Sequence, residues 1–296
     1  MPQKLDLKAR IARFSTRALA FTLLLVSLEH GWAQTENGLY ATFSTSAGEF
    51  TCELYFKRAP RTVANFVSLA EGSRPWVDFK NGGISNKPFY DETTFHRVIK
   101  GFVIQGGSPN ATGTDGPGYR FRDELHSELK HDRAGILSMA KTAAPHTAGS
   151  QFFVTLAATP WLDNVHSVFG AVIMGQGFVD SIGQTLTDSA DRPLATQKVN
   201  SVRIVRVGPD ALDFNVHAVS PPLPVVRPIS AKIRPGDAGL ELVWEAKEEH
   251  DYHAFFGENL LQWNVQTLRP TGSVSLENFE QEFSNHFFFF IEAEHD

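Results

Sequence analysis

Three stretches of this sequence gather the residue types that catalysis or binding requires. The first is Phe95-His96-Arg97-Val98-Ile99-Lys100-Gly101-Phe102-Val103-Ile104-Gln105-Gly106-Gly107, where an arginine and a glutamine sit among apolar residues ahead of a glycine pair. The second is Gly135-Ile136-Leu137-Ser138-Met139-Ala140, followed by Gly149-Ser150-Gln151-Phe152-Phe153. The third is Trp161-Leu162-Asp163-Asn164-Val165-His166-Ser167-Val168-Phe169-Gly170. Taken singly, these residues read blandly. Arg97 alone reads as a surface ion-pair partner, His166 as a structural histidine, and Phe102, Phe153 and Phe169 as core. Trp161 follows Thr159-Pro160 in a loop-like context and reads as a rim residue. His250, Asp251 and His253 have metal-ligand types, but without a fourth ligand or a helical frame they read as solvated loop. Asn110-Ala111-Thr112 fits a glycosylation acceptor. Residues 286–291 (HFFFFI) would invite aggregation if exposed, so they read as a buried strand.

The elements that must position these stretches follow from periodicity. Phe50, Cys52, Leu54 and Phe56 alternate with polar neighbours, and Ser46-Ala47-Gly48 before them is turn chemistry, so 39–56 reads as a hairpin. Pro60 suits a helix start; Val63, Phe66, Val67 and Ala70 follow at helical spacing, and Gly72 can close the helix. Residues 73–88, rich in Gly, Pro, Asn and Asp, read as loop. Strands are expected around 95–104, 136–140, 152–155, 168–173 and 199–207, with a short helix near 178–182. Many short strands and few helices predict a closed β barrel. Ser220-Pro221-Pro222-Leu223-Pro224 then reads as a stiff linker. Beyond it Leu240, Leu242 and Trp244 alternate, as do Leu261, Trp263 and Val265, which predicts a second, smaller all-β unit.

Composition sets the outer bounds. The 296 residues are 42% hydrophobic and 20% charged, a globular balance that suits two domains. A net charge of −6 argues against nucleic acid as a partner. The single cysteine, Cys52, excludes an intrachain disulfide, and 24 phenylalanines point to aromatic clusters in the core. At the N-terminus Lys4, Lys8, Arg10, Arg13 and Arg17 precede an apolar run at 18–28, and Gly31-Trp32-Ala33 supplies small residues for cleavage before Gln34. This order predicts an export signal over 1–33 and no membrane span after its removal, because the apolar run is shorter than the roughly 18 residues a span requires.

Together, in order and at nearly the same separations, the three stretches resemble the cyclophilin family of peptidyl-prolyl cis/trans isomerases, over about 39–207. The resemblance implies a mainly β fold, a cyclophilin-like closed β barrel with two capping helices over 34–212; the proline composition and the alternation beyond it predict a proline-rich linker at 213–230 and a small C-terminal all-β, sandwich-like domain at 231–296. It places the family's catalytic arginine on Arg97 with Gln105 beside it. It places the proline pocket on Phe102, Val103, Phe153, Leu162 and His166, with Gln151 as a second polar neighbour. Ala140 and Lys141 take the places that line the substrate backbone, and Trp161 the rim that also contacts cyclosporin-type ligands. The chemistry suits these types. Rotating a prolyl amide breaks the resonance behind a barrier of ~18–20 kcal/mol, and unaided exchange takes roughly tens to hundreds of seconds. No bond is made or cleaved, so the reading requires no cofactor. A fixed guanidinium can stabilise the twisted amide, and a ~10⁵-fold acceleration asks for about 7 kcal/mol. The sequence departs from the family at Val103, where methionine is common, at Lys141, where asparagine is usual, and by one extra residue between Ala140 and Gln151, which implies a mobile loop. The expected function is isomerisation of Xaa-Pro bonds in exported polypeptides, periplasmic or extracellular. The alternative is a non-catalytic module that holds proline-containing partners on the same scaffold.

Overall fold

A computed structural model describes residues 37–236, 239–247, 250–259, 262–268, 273–275 and 287–294. The predicted export signal, 1–33, lies outside the described residues. No helix among them is long and apolar enough to cross a membrane.

The expected hairpin forms as β1 (Gly38–Thr45) and β2 (Gly48–Leu54), registered so that Phe43 opposes Phe50, with the rings stacked at 4.6 Å. The first helix, α1 (Pro60–Glu71), begins with its proline where no N–H is needed. It ends at Gly72, whose φ of 69° lets its N–H reach back to the Ser68 and Leu69 carbonyls. Its first N–H groups are satisfied from outside. The Glu124 carboxylate accepts from the Arg61 and Thr62 backbone N–H groups and from the Thr62 hydroxyl.

The 73–88 stretch is not all loop: it contains a short hairpin of β3 (Trp76–Val77) and β4 (Ile84–Ser85). The strand expected at 95–104 is a hairpin, β6 (Arg97–Ile99) and β7 (Val103–Gly106), preceded by β5 (Thr93–Thr94). Next come β8 (Ile136–Met139), β9 (Phe152–Thr155), a 3₁₀ turn (Pro160–Leu162), β10 (Val168–Met174), α2 (Gln176–Gly183), β11 (Lys198–Val207) and a short α3 (Pro209–Leu212).

These strands make one nine-stranded sheet in the order β5-β11-β1-β2-β10-β8-β9-β7-β6. The sheet curls, but its ladder does not close into the expected ring. Its end strands, β5 and β6, are two pieces of one chain segment broken at Phe95-His96. The ends therefore meet through the covalent chain and a single bridge, Thr94 to Ser108, instead of a ladder. Inside the curl, Phe66 of α1 packs against Phe43, Tyr90, Phe152 and Phe169 at 4.8–6.0 Å.

Seven more strands follow: β12 (Val226–Ile229), β13 (Lys232–Gly236), β14 (Gly239–Val243), β15 (His250–Asn259), β16 (Gln262–Leu268), β17 (Ser273–Ser275) and β18 (Phe287–Glu294). They form two sheets, β12-β18-β15-β16 and β13-β14-β17. The phenylalanine run of β18 is paired along its length with β15, and from Phe290 onward β18 is also paired with β12. The proline-rich segment lies against the barrel. Leu223 and Val226 are each 4% exposed in the barrel core, and the Arg61 and Arg74 guanidiniums donate to the Pro222 and Pro224 carbonyls.

Candidate active site

The β6–β7 hairpin places Arg97 directly opposite Gln105, so the two side chains share a face. The Arg97 guanidinium donates from Nη1 to Gln105 Oε1 at 3.5 Å; Gln105 Nε2 donates to Gln151 Oε1 at 2.9 Å; Gln151 Nε2 donates to the Asp115 carbonyl at 2.8 Å. This relay runs from β7 through the residue that precedes β9 to the 113–118 loop, and it fixes both glutamine amides. On the other side, Asp191 Oδ2 lies 3.3 Å from Nε and from Nη2 of Arg97. Sequence reading missed Asp191. It sits in a loop between α2 and β11 with φ of 61°, and only its Asx-rich setting, Thr187-Asp188-Ser189-Ala190-Asp191, hints at a tight turn. Arg97 remains 41% exposed, so a guanidinium held by Gln105 and Asp191 still faces solvent.

The groove beneath has a volume of about 720 Å³. Its apolar end is made by Phe102 and Val103 of the β6–β7 hairpin, Phe153 of β9, and Leu162 and His166 after the 3₁₀ turn. Phe153 meets His166 edge-on at 5.5 Å. Below Phe153 lies a buried stack that sequence reading also missed. The His131 ring lies nearly parallel to Phe153 at 5.8 Å and is braced by Asp163 at Nδ1 and by Ser138 Oγ at Nε2, each 3.0 Å away. Asp163 neighbours Leu162, so one carboxylate steadies two walls of the pocket. Burial holds the His131 and His166 pKa values below the ordinary 6.5, which leaves both rings neutral at pH 7. The His166 Nδ1–H then donates to the Met139 carbonyl at 3.0 Å, which makes this ring a wall and not an acid or base.

Ala140 and Lys141 line the groove, with Gln151 beside them. The Lys141 side chain is only 6% exposed. Its Nζ lies 3.6 Å from Asp123 Oδ2 and donates to the Ala144 carbonyl at 3.3 Å. Asp123 also accepts from the His146 N–H and donates its own N–H to His146 Nδ1, both at 3.1 Å. The loop with the extra residue is therefore stapled at its base, where the sequence implied mobility. Trp161 does not line the groove. It is 65% exposed and stacks on Phe102 at 5.9 Å, at the rim.

The helix sets the opposite wall. Asn65 of α1, fully buried, donates to the Gly149 carbonyl at 2.8 Å and accepts from the Tyr119 hydroxyl at 2.7 Å, tying two groove loops to the core. At that end the groove also meets β15. His253 is 4% exposed, its Nε2 3.0 Å from the Gly118 carbonyl, and Asp251 pairs with Arg120 at 3.3 Å. The solvated loop expected for these two residues is a strand packed against the barrel. Among the described residues, no group of three or more His, Cys, Asp or Glu is placed to hold a metal ion.

Comparison with known proteins places the family of the barrel by matches to residues 40–204. The family model described as cyclophilin type peptidyl-prolyl cis-trans isomerase/CLD matches residues 40–204. Peptidyl-prolyl cis-trans isomerase A of Mycobacterium tuberculosis is 46% identical over 166 residues, covering 55% of this chain and 91% of the relative. Peptidyl-prolyl cis-trans isomerase B of Streptomyces anulatus is 48% identical over 167 residues, covering 55% and 95%. A crystal structure of a cyclophilin type peptidyl-prolyl cis-trans isomerase of Cryptosporidium parvum superposes with a TM-score of 0.50 at 31% identity, covering 58% of this chain and 99% of that one. With its curled sheet, apolar slot and matched residues 40–204, the chain belongs to the cyclophilin-type peptidyl-prolyl cis-trans isomerase family.

Proposed function

We propose that this protein isomerises Xaa-Pro bonds in exported polypeptides and assists their folding, with Arg97 as the group that stabilises the twisted amide. The observation that carries the reading is the placement of Arg97. A guanidinium held on one side by Asp191 and on the other by Gln105 stands over a slot of two phenylalanines, a valine, a leucine and a neutral histidine. The slot takes the pyrrolidine ring and excludes water. As resonance fails, the prolyl nitrogen pyramidalises and gains a lone pair, to which the Arg97 N–H groups donate. The contact is stronger in the twisted state than in either planar isomer, which is the condition for catalysis. Gln105 and Gln151, held by each other and by the Asp115 carbonyl, present fixed dipoles to the substrate backbone. Lys141, turned onto Asp123, leaves that contact to backbone groups, which supports catalysis over mere capture of a proline partner.

Arg97→Ala is expected to lower kcat/KM on a short proline peptide by about 10²–10³-fold, the range for loss of one preorganised donor, with an unchanged circular dichroism spectrum. Full activity in that folded variant sinks the mechanism; tight peptide binding by the wild type with no faster exchange favours the binding-module reading. Export rests on the basic-then-apolar order of residues 1–33, and a mature N-terminus at Gln34 is the expected outcome of sequencing the secreted protein. Trp161, stacked on Phe102 at the rim, supports binding of cyclosporin-type ligands, and Trp161→Ala should weaken it.

A further inference from the structure

Beyond Gln151 the groove is lined by Phe79, Pro117 and two residues of β15, Asp251 and His253. Residues two apart on a strand point to the same face. Asp251 and His253 thus turn toward the barrel, while Tyr252 between them packs on Trp244 at 5.5 Å in the cluster of the C-terminal sheets. His253 lies outside the matched residues 40–204, yet it is 4% exposed and its Nε2–H donates to the Gly118 carbonyl at 3.0 Å. Its ring meets Phe79 edge-on, with the centroids 5.1 Å apart.

Phe79 is held on its own side too. It sits in the β3–β4 turn, where the Asp78 carboxylate accepts from the Lys80 and Asn81 N–H groups at 3.1 and 3.0 Å. The Val77 N–H donates to the Pro117 carbonyl at 3.0 Å and ties that turn to the groove loop. The Phe79 ring is half-buried: part of it packs on the barrel core and it also lines the groove. A fixed ring presented to an open groove is a surface on which apolar ligand groups bind. The charged residues that line this end pair with other side chains, Arg120 with Asp251 at 3.3 Å and Lys141 with Asp123 at 3.6 Å, while Asp115 accepts from the Asn110 N–H at 2.8 Å. The Asp115 carbonyl holds the Gln151 amide and the Gly118 carbonyl holds His253. The stretch from 115 to 118 spans at most about 11 Å, which an extended substrate covers with about three residues.

We propose that Phe79, braced by His253 of the C-terminal sheet, binds an aromatic or large aliphatic side chain within about three residues of the isomerised proline. The assignment rests on the isomerase reading above and names the class of substrate the same groove takes: polypeptides with a bulky apolar residue close to the proline. Phe79 touches the substrate; His253 acts through Phe79 and is a positioning residue, supplied by a strand outside the matched barrel.

The test uses the full chain and uncharged proline peptides that carry Phe, Leu or Gly at each of the three positions on either side of the proline. The wild type should favour Phe over Gly at one position by about fivefold in kcat/KM, the range for one aromatic contact. The difference should lie mainly in KM, because the contact forms equally in the planar and twisted states. Phe79→Ala should bring the ratio near one, and Phe79→Leu should keep part of it. His253→Gln retains a donor for Gly118 but removes the ring that braces Phe79; it should lower the ratio about twofold, again through KM, with an unchanged circular dichroism spectrum. Equal rates for Phe and Gly peptides at every position, or a ratio that survives Phe79→Ala, overturn the assignment while leaving the isomerase reading intact. A ratio unchanged in His253→Gln, or an effect on kcat alone, overturns the positioning role of the sheet. Isomerisation of none of the peptides by the wild type overturns both readings.

Discussion

At the scale of single residues, the site consists of one cation and the groups that aim it. Asp191 keeps its backbone in the left-handed region, φ 61°, which asparagine tolerates at least as well, so Asp191→Asn alters charge while sparing the turn. The variant leaves Arg97 charged but loosely aimed. kcat on a proline peptide should fall about two- to fivefold with KM nearly unchanged, the pattern of a contact realised mainly in the transition state; a change in KM alone would contradict the aiming role. Two buried rings and one half-buried ring govern the response to acid. His96, His131 and His166 all have pKa values lowered from 6.5, chiefly by burial. Their unfolded counterparts bind protons first as the pH drops, so stability is flat above about pH 6.5 and falls below it, by up to about 1.4 kcal/mol per pH unit for each ring. Urea unfolding at pH 7.5 and 5.5 should show this loss, and His96→Leu should flatten the curve; a protein more stable at pH 5.5 would refute it.

At the scale of elements, the catalytic hairpin depends on two glycines that do different jobs. Gly101 turns β6 into β7 with φ of 72°, and a Cβ there would meet nothing within 4 Å. Gly107 ends the motif with φ of 82°, where a Cβ would collide with the Ser150 carbonyl and come within 3.0 Å of Gln151 Cα. Gly101→Ala should therefore cost about 1–2 kcal/mol of left-handed strain and keep activity. Gly107→Ala, in contrast, pushes Gln151 off Gln105 and should lower kcat/KM at least as much as it lowers stability; equal behaviour of the two variants would count against this division. The same hairpin shows what the sequence made legible. Helix α1, the β1–β2 hairpin and the strands of the matched segment announce themselves through local period and turn residues, and the groove residues travel with them. Asp191, Asp115 and His131 do not, because their roles arise only when loops remote in sequence meet. Lys141 was legible as a departure, but its pairing with Asp123, eighteen residues back, was not. The turn at Lys100-Gly101-Phe102 lies between two short apolar runs, Val98-Ile99 and Phe102-Val103-Ile104, which is why 95–104 reads as one strand.

At the scale of the whole molecule, the question is whether the C-terminal strands ride on a tether or belong to the barrel. Composition favours a tether, since prolines at 221, 222 and 224 stiffen a chain without burying it. Packing says otherwise. Leu223 and Val226 sit at 4% exposure, and Ile291 of β18 at 1%, in the same apolar cluster as Phe43 and Phe66. The carbonyls of Pro222 and Pro224 are received by Arg61 and Arg74, and Arg74 in turn covers the Tyr119 ring that α1 holds through Asn65. A perturbation at residue 223 thus reaches the groove through two contacts. Leu223→Ala should cost about 2–5 kcal/mol, as for truncating a buried leucine in a core that cannot fully collapse. The loss should appear in a single cooperative transition that tryptophans of both parts, Trp76 and Trp244, report together. An independent tethered sheet gives the opposite result: two transitions, with Leu223→Ala shifting neither. The outcome decides whether the groove wall at β15 folds as one unit with the barrel, which is the condition for Asp251 to stay within 3.3 Å of Arg120 in every folded molecule.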